Sequence, residues 1–597
     1  MTHRTFITAI LFTVLNLACA SHSDAPKAAT TTGGKPPEFP AGAYAWGGGG
    51  GTMLRDDGTT LERFACVADG AANKKVIVYT STDNGKTWSE PKDFGLSLKG
   101  TDWGGPGGLR DRNGEYQFFF IRERRIGEGR LEGAVTRFLN MWHIRSTDGV
   151  TNWSEPQMIF EGYTGNMSNP IQLKSGRIVM PIGSLIPRRK PAPPTGRHET
   201  WVYYSDDDGK TFQKSSARLV APVYDNYNGS NEGACEPAIV ELKDGRVLIT
   251  MRNSSGFLYE SISEDGANWP AAWASRFNTS TGPPSLIRLK DHRIMLVWNN
   301  CEMPQRVEGR ILYAGRDALH AAIANPDLTA WRGWREIFRD PTRSKSPATK
   351  GDRGTAYPDT LELPDGRVAV TSGQGGIRAL MYVDPAWLYE THQSSDFSNG
   401  LDDWTVFKGV GEVTGYWRAR EQGAQLIDHP DKPGKKALHL RKPDENVPDG
   451  AVWNFPMGTS GKLTIRLRLN PESSGASIAL CDRFFEPCDE LAERDSIFVL
   501  PVGLRSEGTV LGVEPTRWHE LVFDWDTTKG KCRVSLNGKE VSTLRMTNHT
   551  LNGVCYLHLR SRALHQPEQS GWLLESVSVD VRTESPGGPG VERYVRK

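Results

Sequence analysis

Short runs of β-branched and aromatic residues dominate this chain, and long apolar stripes at helical spacing are few. Lys75-Val76-Ile77-Val78-Tyr79-Thr80 and Trp201-Val202-Tyr203-Tyr204 are such runs, and each predicts a strand. Each is followed by a related polar segment: Ser81-Thr82-Asp83-Asn84-Gly85-Lys86-Thr87-Trp88 after the first and Ser205-Asp206-Asp207-Asp208-Gly209-Lys210-Thr211-Phe212 after the second. Ser146-Thr147-Asp148-Gly149-Val150-Thr151-Asn152-Trp153 is a third copy, and Ser263 to Trp269, through Asp265 and Gly266, a shortened fourth. The copies start at Ser81, Ser146, Ser205 and Ser263, 65, 59 and 58 residues apart, a period that marks one supersecondary unit repeated as the blades of a propeller. In each, Asp accepts turn amides, Gly supplies a positive φ, and the aromatic packs between sheets. Two polar hairpins fall between them, Gln172 to Ile178 through Ser175-Gly176 and Glu241 to Val247 through Asp244-Gly245, and a third follows the last copy, Glu362 to Val368 through Asp365-Gly366.

The pattern changes near Ala386-Trp387-Leu388, after the strand-like Ala379-Leu380-Met381-Tyr382-Val383. From about 395 to 583 the alternation continues without the repeat, as in Lys462 to Leu469, Trp518 to Trp525 and Val534 to Val541. The fold expected is therefore all-β: a β-propeller over 39–392 followed by a β-sandwich (jelly-roll) domain over 395–583, with a tail over 584–597.

Composition agrees with many short strands joined by tight turns: 63 Gly and 18 Trp in 597 residues. Lys+Arg of 72 against Asp+Glu of 71 gives a net charge of +1, without the basic footprint of a nucleic-acid binder. Met1 to Ala20 reads as a secretory signal: a basic start at His3 and Arg4, an apolar run from Phe6 to Leu17, and the small-residue site Ala18-Cys19-Ala20. Residues 21–38 read as a disordered leader, and the mature chain as secreted or periplasmic, with lipidation of Cys19 the alternative. No run reaches membrane-spanning length. Seven further cysteines show no zinc spacing, and Cys481 and Cys488 are close enough to close a small loop in an oxidising compartment. His143, His198 and His320 show no ligand spacing and read as structural, so no metal and no cofactor is expected.

The four repeats resemble the Asp boxes of the sialidase (neuraminidase) superfamily, over roughly residues 40 to 390. In that family the boxes lie on outer turns of a six-bladed β-propeller, far from the active site, which implies six blades here and that the acids of the boxes are structural. The resemblance sharpens at Cys235-Glu236-Pro237-Ala238 through Asp244-Gly245-Arg246 to Thr250-Met251-Arg252-Asn253, where Glu236 and Arg252 match a strand-borne glutamate and an arginine on the returning strand. Ala356-Tyr357-Pro358-Asp359 resembles the segment bearing the family's nucleophilic tyrosine, and Arg316, in Arg316-Asp317-Ala318-Leu319-His320, falls where relatives supply another arginine. Asp69, in Cys66-Val67-Ala68-Asp69-Gly70, matches the early segment of the acid/base, with Asp102 as competitor. The second unit resembles concanavalin- or laminin-G-like sandwiches found beside carbohydrate enzymes.

These residue types suit one chemistry. A sialic acid carries a carboxylate on its anomeric carbon, which repels a carboxylate nucleophile and tolerates a neutral phenol. A phenol of pKa near 10 needs a neighbouring base, giving Tyr357 and Glu236 a joint purpose, and guanidinium forks at Arg252 and Arg316 suit the substrate carboxylate. The chain departs from the family at its first arginine, usually near Arg-Ile-Pro: Gly47 to Leu54 has no counterpart, leaving Arg55 or Arg63 to reach in. Ser372-Gly373-Gln374 stands where the glutamate that steadies that arginine is expected. The resemblance implies a secreted exo-acting glycosidase that releases terminal sialic acid from glycoconjugates with retention. A propeller hydrolase or lyase for another acidic sugar, and a non-catalytic glycan-binding propeller, are the alternatives.

Overall fold

The computed structural model describes residues 34–40, 53–55, 60–70, 73–99, 107–125, 137–147, 152–165, 170–186, 197–223, 232–301, 306–307, 310–311, 316–339, 354–374, 378–408, 423–441, 448–485, 492–562 and 570–582. The signal segment, Cys19 and Asp102 lie outside them. Six antiparallel sheets follow one another along the first two thirds of the chain. Their innermost strands are Met53–Arg55, Gly107–Arg110, Ile171–Gln172, Cys235–Glu241, Ser285–Arg288 and Asp359–Glu362. These sheets are blades one to six of the propeller. The innermost strand of blade six packs beside those of blades five and one, so the ring closes on itself.

Among the described residues blade six contributes three consecutive strands, Asp359–Glu362, Val368–Ser372 and Ala379–Val383. Its open edge is covered from the other end of the chain. Glu38 and Tyr382 exchange both backbone hydrogen bonds, at 3.0 and 2.8 Å, and Arg367 Nη1 donates to the Glu38 carboxylate at 3.0 Å. This corrects the expected leader, whose last residues are ordered against blade six because an uncovered edge strand would leave its amides and carbonyls unpaired.

The three hairpins form in the expected register, Gln172↔Ile178, Glu241↔Val247 and Glu362↔Val368. The repeats close the turn between the third and fourth strands of their blades. In the first, Asp83 accepts from the Thr87 amide at 2.9 Å and its hydroxyl at 2.7 Å, and Ser81 Oγ accepts from Gly85 N at 2.9 Å. The copy that starts at Ser205 repeats this at Asp207, Thr211 and Gly209. Hydrogen bonds from Thr87 pull the Asp83 carboxyl down to about 2. These aspartates are therefore consumed by their own turns.

Two further sheets face each other behind the propeller. One is built on Ser460–Leu469 and Trp572–Arg582, the other on Asp449–Gly458, Ala476–Cys481 and Val554–Ser561. Leu463, Ile465 and Leu467 alternate inward onto Trp453, Leu557 and Leu559, the period-two pattern of a sandwich. The run Val534 to Val541 folds back at Asn537-Gly538, both in the left-handed region (φ 50° and 84°), giving strands Lys531–Leu536 and Lys539–Arg545.

Propeller and sandwich share a core. Phe277, Trp298, Trp331 and Trp334 of blades four and five join Phe407, Phe484 and Tyr556 in one buried cluster, and residues from Gly33 onward form a single compact unit. A buried polar chain crosses this seam. Asn300 N–H donates to His320 Nδ1 at 3.2 Å, which leaves the His320 proton on Nε2, 2.5 Å from Tyr556 Oη. Tyr556 in turn donates to Glu336 Oε1 at 2.6 Å, and Glu336 pairs with Arg339. The described cysteines Cys66, Cys235, Cys301, Cys481, Cys532 and Cys555 are free thiols; Cys488, the expected partner of Cys481, lies outside the described residues. Among the described residues no helix is long and apolar enough to cross a membrane.

Burial holds four histidines neutral: His198 and His320 are pushed down to about 4, His143 and His558 to about 3. An unfolded histidine takes its proton near 6.5, so between that pH and the folded values the unfolded chain binds more protons. Stability from these sites is complete above about pH 6.5 and falls as the pH drops, by up to about 1.4 kcal/mol per pH unit per histidine. Thermal melts from pH 7 to 4 are expected to show a steep fall in Tm below about pH 6; a Tm that is flat to pH 4 contradicts it.

Candidate functional site

Within each blade the second strand ends and the third begins on the face opposite the hairpins. Glu236, at the start of the innermost strand of blade four, and Arg252, at the end of the second, therefore share that face. A bulge between Cys235 and Pro237 turns the Glu236 side chain out of the regular pleat. Glu236 has φ +44° and Tyr357 φ +60°. Both precede a proline, Pro237 and Pro358, and both are non-glycine residues in the left-handed region, a conformation held only where the surroundings over-determine it.

What holds the Tyr357 segment is visible on both sides. Thr355 N–H donates to Arg316 O at 2.7 Å on blade five, while Gly373 N–H donates to Ala356 O and Gln374 N–H to Gly354 O, each at 2.9 Å, on blade six. Ser372 Oγ adds a bond to Thr355 O at 2.5 Å. Gly354 has φ +103°, and a Cβ there would lie 2.2 Å from Arg316 O, so only glycine fits.

The result is a compact constellation around one carboxylate. Arg252 Nη1 donates to Glu236 Oε2, and Tyr357 Oη donates to Glu236 Oε1 at 3.1 Å. Arg252 is 0% exposed and Glu236 5%. Glycines make room for the carboxylate: a Cβ on Gly165 would lie 3.2 Å from Glu236 Cγ, and one on Gly183 2.9 Å from Glu236 N. Arg316 is also 0% exposed, with its Cζ 5.5 Å from the centre of the Tyr357 ring. Its Nη1 donates to Gln374 Oε1 at 2.5 Å and its Nη2 to Thr281 O at 2.9 Å.

Four of the expected site residues, Glu236, Arg252, Arg316 and Tyr357, thus converge. Asp69 is exposed in the turn after the second strand of blade one, on the same face, its amide bonded to Asn73 O at 2.8 Å. Among the described residues no hydrogen bond or ion pair joins its carboxylate to the four. Arg55 ends the first strand of blade one, opposite Leu61, and its side chain lies outside what is described. Arg63 is buried with its guanidinium 5.1 Å from the Tyr79 ring centre, and burial pushes it down to about 10. Among the described residues no group of three or more His, Cys, Asp or Glu is placed to hold a metal ion.

Several residues at the site carried no signal in the sequence. His198 is buried, and its low pKa reflects burial, opposed by Glu236 and helped by Arg252, which places it beside that pair. Thr281, a β-branched residue at φ +56°, turns its carbonyl to Arg316, and the Thr281-Gly282-Pro283-Pro284 run was the available hint of a forced corner. Arg378 immediately precedes the third strand of blade six, where burial lowers its pKa against the opposing charge of Asp359. Gln374 stood in the sequence only as the place of an absent glutamate.

A family profile described as a BNR repeat-like domain matches residues 127–370. A sialidase of Micromonospora viridifaciens is 28% identical over 220 residues, covering 34% of this chain and 31% of that protein, so the match spans about a third of the relative's length. Among solved structures, Trypanosoma rangeli sialidase aligns over 90% of this chain and 91% of its own, at 14% identity and TM-score 0.37. A Dyadobacter fermentans protein of unknown function aligns over 58% and 96%, at 18% identity and TM-score 0.41.

Gly354→Ala is expected to destabilise the protein by about 2 to 4 kcal/mol, because the methyl meets a fixed carbonyl and the left-handed backbone is lost. Urea unfolding should show a lower midpoint at unchanged m-value. A midpoint equal to the parent's would contradict the packing described for the Tyr357 segment.

Proposed function

We propose that this BNR-repeat propeller is a member of the sialidase superfamily and a glycoside hydrolase of sialidase type that removes terminal sialic acid from glycoconjugates. The observation that carries this reading is the Tyr357–Glu236 hydrogen bond of 3.1 Å beside two buried arginines. Tyr357 acts as the nucleophile. Glu236 accepts the phenolic proton as the oxygen attacks the anomeric carbon and returns it when water displaces the enzyme, so the configuration is retained.

The surroundings suit that exchange. Arg252 holds the other carboxylate oxygen, keeping Oε1 aimed at the phenol, and the neutral nucleophile avoids the substrate's own carboxylate. Arg316 orients that carboxylate from beside the Tyr357 ring. Asp69 supplies the acid that protonates the leaving oxygen, an assignment supported by its place on the same face as the four; Arg55, the family-derived addition to the clamp, sits at the hairpin end of blade one, opposite Leu61, and has no such support. The chain acts after export, with its signal segment removed. Its C-terminal sandwich steadies the propeller or binds glycan, and the shared aromatic core supports the first of these.

A second reading, a hydrolase or lyase for another acidic sugar, is favoured by the missing Arg-Ile-Pro arginine of blade one. Purified protein is expected to release free sialic acid from a fluorogenic sialoside, and Tyr357→Phe to lose roughly a hundredfold or more in kcat/KM while still binding product. Turnover of uronate polymers with none of sialosides supports the second reading; glycan binding without turnover of either supports a propeller that only binds.

A further inference from the structure

The two buried arginines of the site differ in what occupies them. Arg252 Nη1 is held by a carboxylate, Glu236, whose other oxygen serves Tyr357. Two bonds of Arg316 go to neutral oxygens, the Thr281 carbonyl at Nη2 and the Gln374 amide oxygen at Nη1. A ligand carboxylate that claims an arginine fork must replace an oxygen already there. Replacing Glu236 would strand a buried charge and remove the phenol's acceptor, whereas the Thr281 carbonyl is backbone in a left-handed corner between blades four and five. Gln374 differs from both. Its backbone is fixed by the bond from its amide to Gly354 O at 2.9 Å, but its side chain is partly exposed and ends in a neutral sp² oxygen 2.5 Å from Nη1.

We propose that Gln374 is a specificity-determining residue whose amide oxygen occupies the place on Arg316 where a substrate carboxylate docks, and that the side chain swings aside when one binds. The inference rests on the reading of this site as one for a carboxylated sugar. A carboxylate displaces the amide because it brings a full negative charge and two oxygens that match the guanidinium fork, where the amide offers one oxygen and only a dipole; a neutral ligand has no such advantage. Gln374 therefore discriminates against uncharged sugars at the position where the family's pattern calls for an acid. A glutamate in its place would compete with the ligand on equal terms.

The test is calorimetric binding of the 2,3-didehydro derivative of sialic acid and of its methyl ester to the full chain, with Tm recorded for every variant. The parent is expected to prefer the acid, Gln374→Glu to bind the acid roughly tenfold or more weakly with the ester unchanged, and Gln374→Ala to bind the acid at least as tightly as the parent. Equal acid affinity in Gln374→Glu, or a tenfold loss in Gln374→Ala at unchanged Tm, overturns the proposal, the latter by making Gln374 a group that orients Arg316. If the parent binds neither compound, the sialic acid reading fails, and the same three proteins titrated with glucuronate decide the role of Gln374 by the same order of affinities. Failure of glucuronate as well overturns both.

Discussion

The site depends on the buried Glu236 carboxylate, which ties an arginine to a tyrosine. Glu236 has one oxygen on Arg252 and the other on Tyr357, and it reaches both from a left-handed backbone position at a strand bulge. Isolated, either the arginine or the carboxylate would cost several kcal/mol to take out of water. Paired and hydrogen-bonded, they place a carboxyl oxygen against a phenol in a setting where charge interactions are weakly screened. The arrangement tolerates no idle volume, which is why Gly165 and Gly183 line it and Gly354 anchors the opposing segment.

That geometry rests on closure of the ring and on its backing. Glu236 belongs to blade four, Arg316 to blade five and Tyr357 to the segment entering blade six, so small rotations between blades would separate them. Two features resist such rotations. The N-terminal segment fastens the edge of blade six through Glu38 and Tyr382. The sandwich buries its aromatic face against blades four and five, and the His320–Tyr556–Glu336 chain fixes the seam by direction as well as by area.

Much of this was legible in the sequence because the relevant signals are local. Asp-Gly hairpins and the Ser-x-Asp-x-Gly turns have dihedral requirements that few residues meet, so they marked blade strands at Glu241–Val247 and Glu362–Val368 in the register found. The spacing from Glu236 to Arg252 across one hairpin likewise fixed two site residues on one face. Signals that depend on distant partners were silent. Nothing near Glu38 announces a bond to Tyr382, and Gln374, Thr281 and His198 acquire meaning only from the guanidinium or carboxylate beside them. Asp69 shows the opposite case: a turn aspartate before glycine, Asp69-Gly70, satisfies a local rule whatever its chemical use.

The central claim is that Glu236 and Arg252 act as one coupled buried unit. A double-mutant cycle of Glu236→Gln and Arg252→Met, followed by equilibrium urea unfolding, measures that coupling directly. Each single change should cost about 3 to 5 kcal/mol by leaving a buried group without its partner, and the double change should cost at least about 1.5 kcal/mol less than their sum. Additivity within about 0.5 kcal/mol would contradict the account.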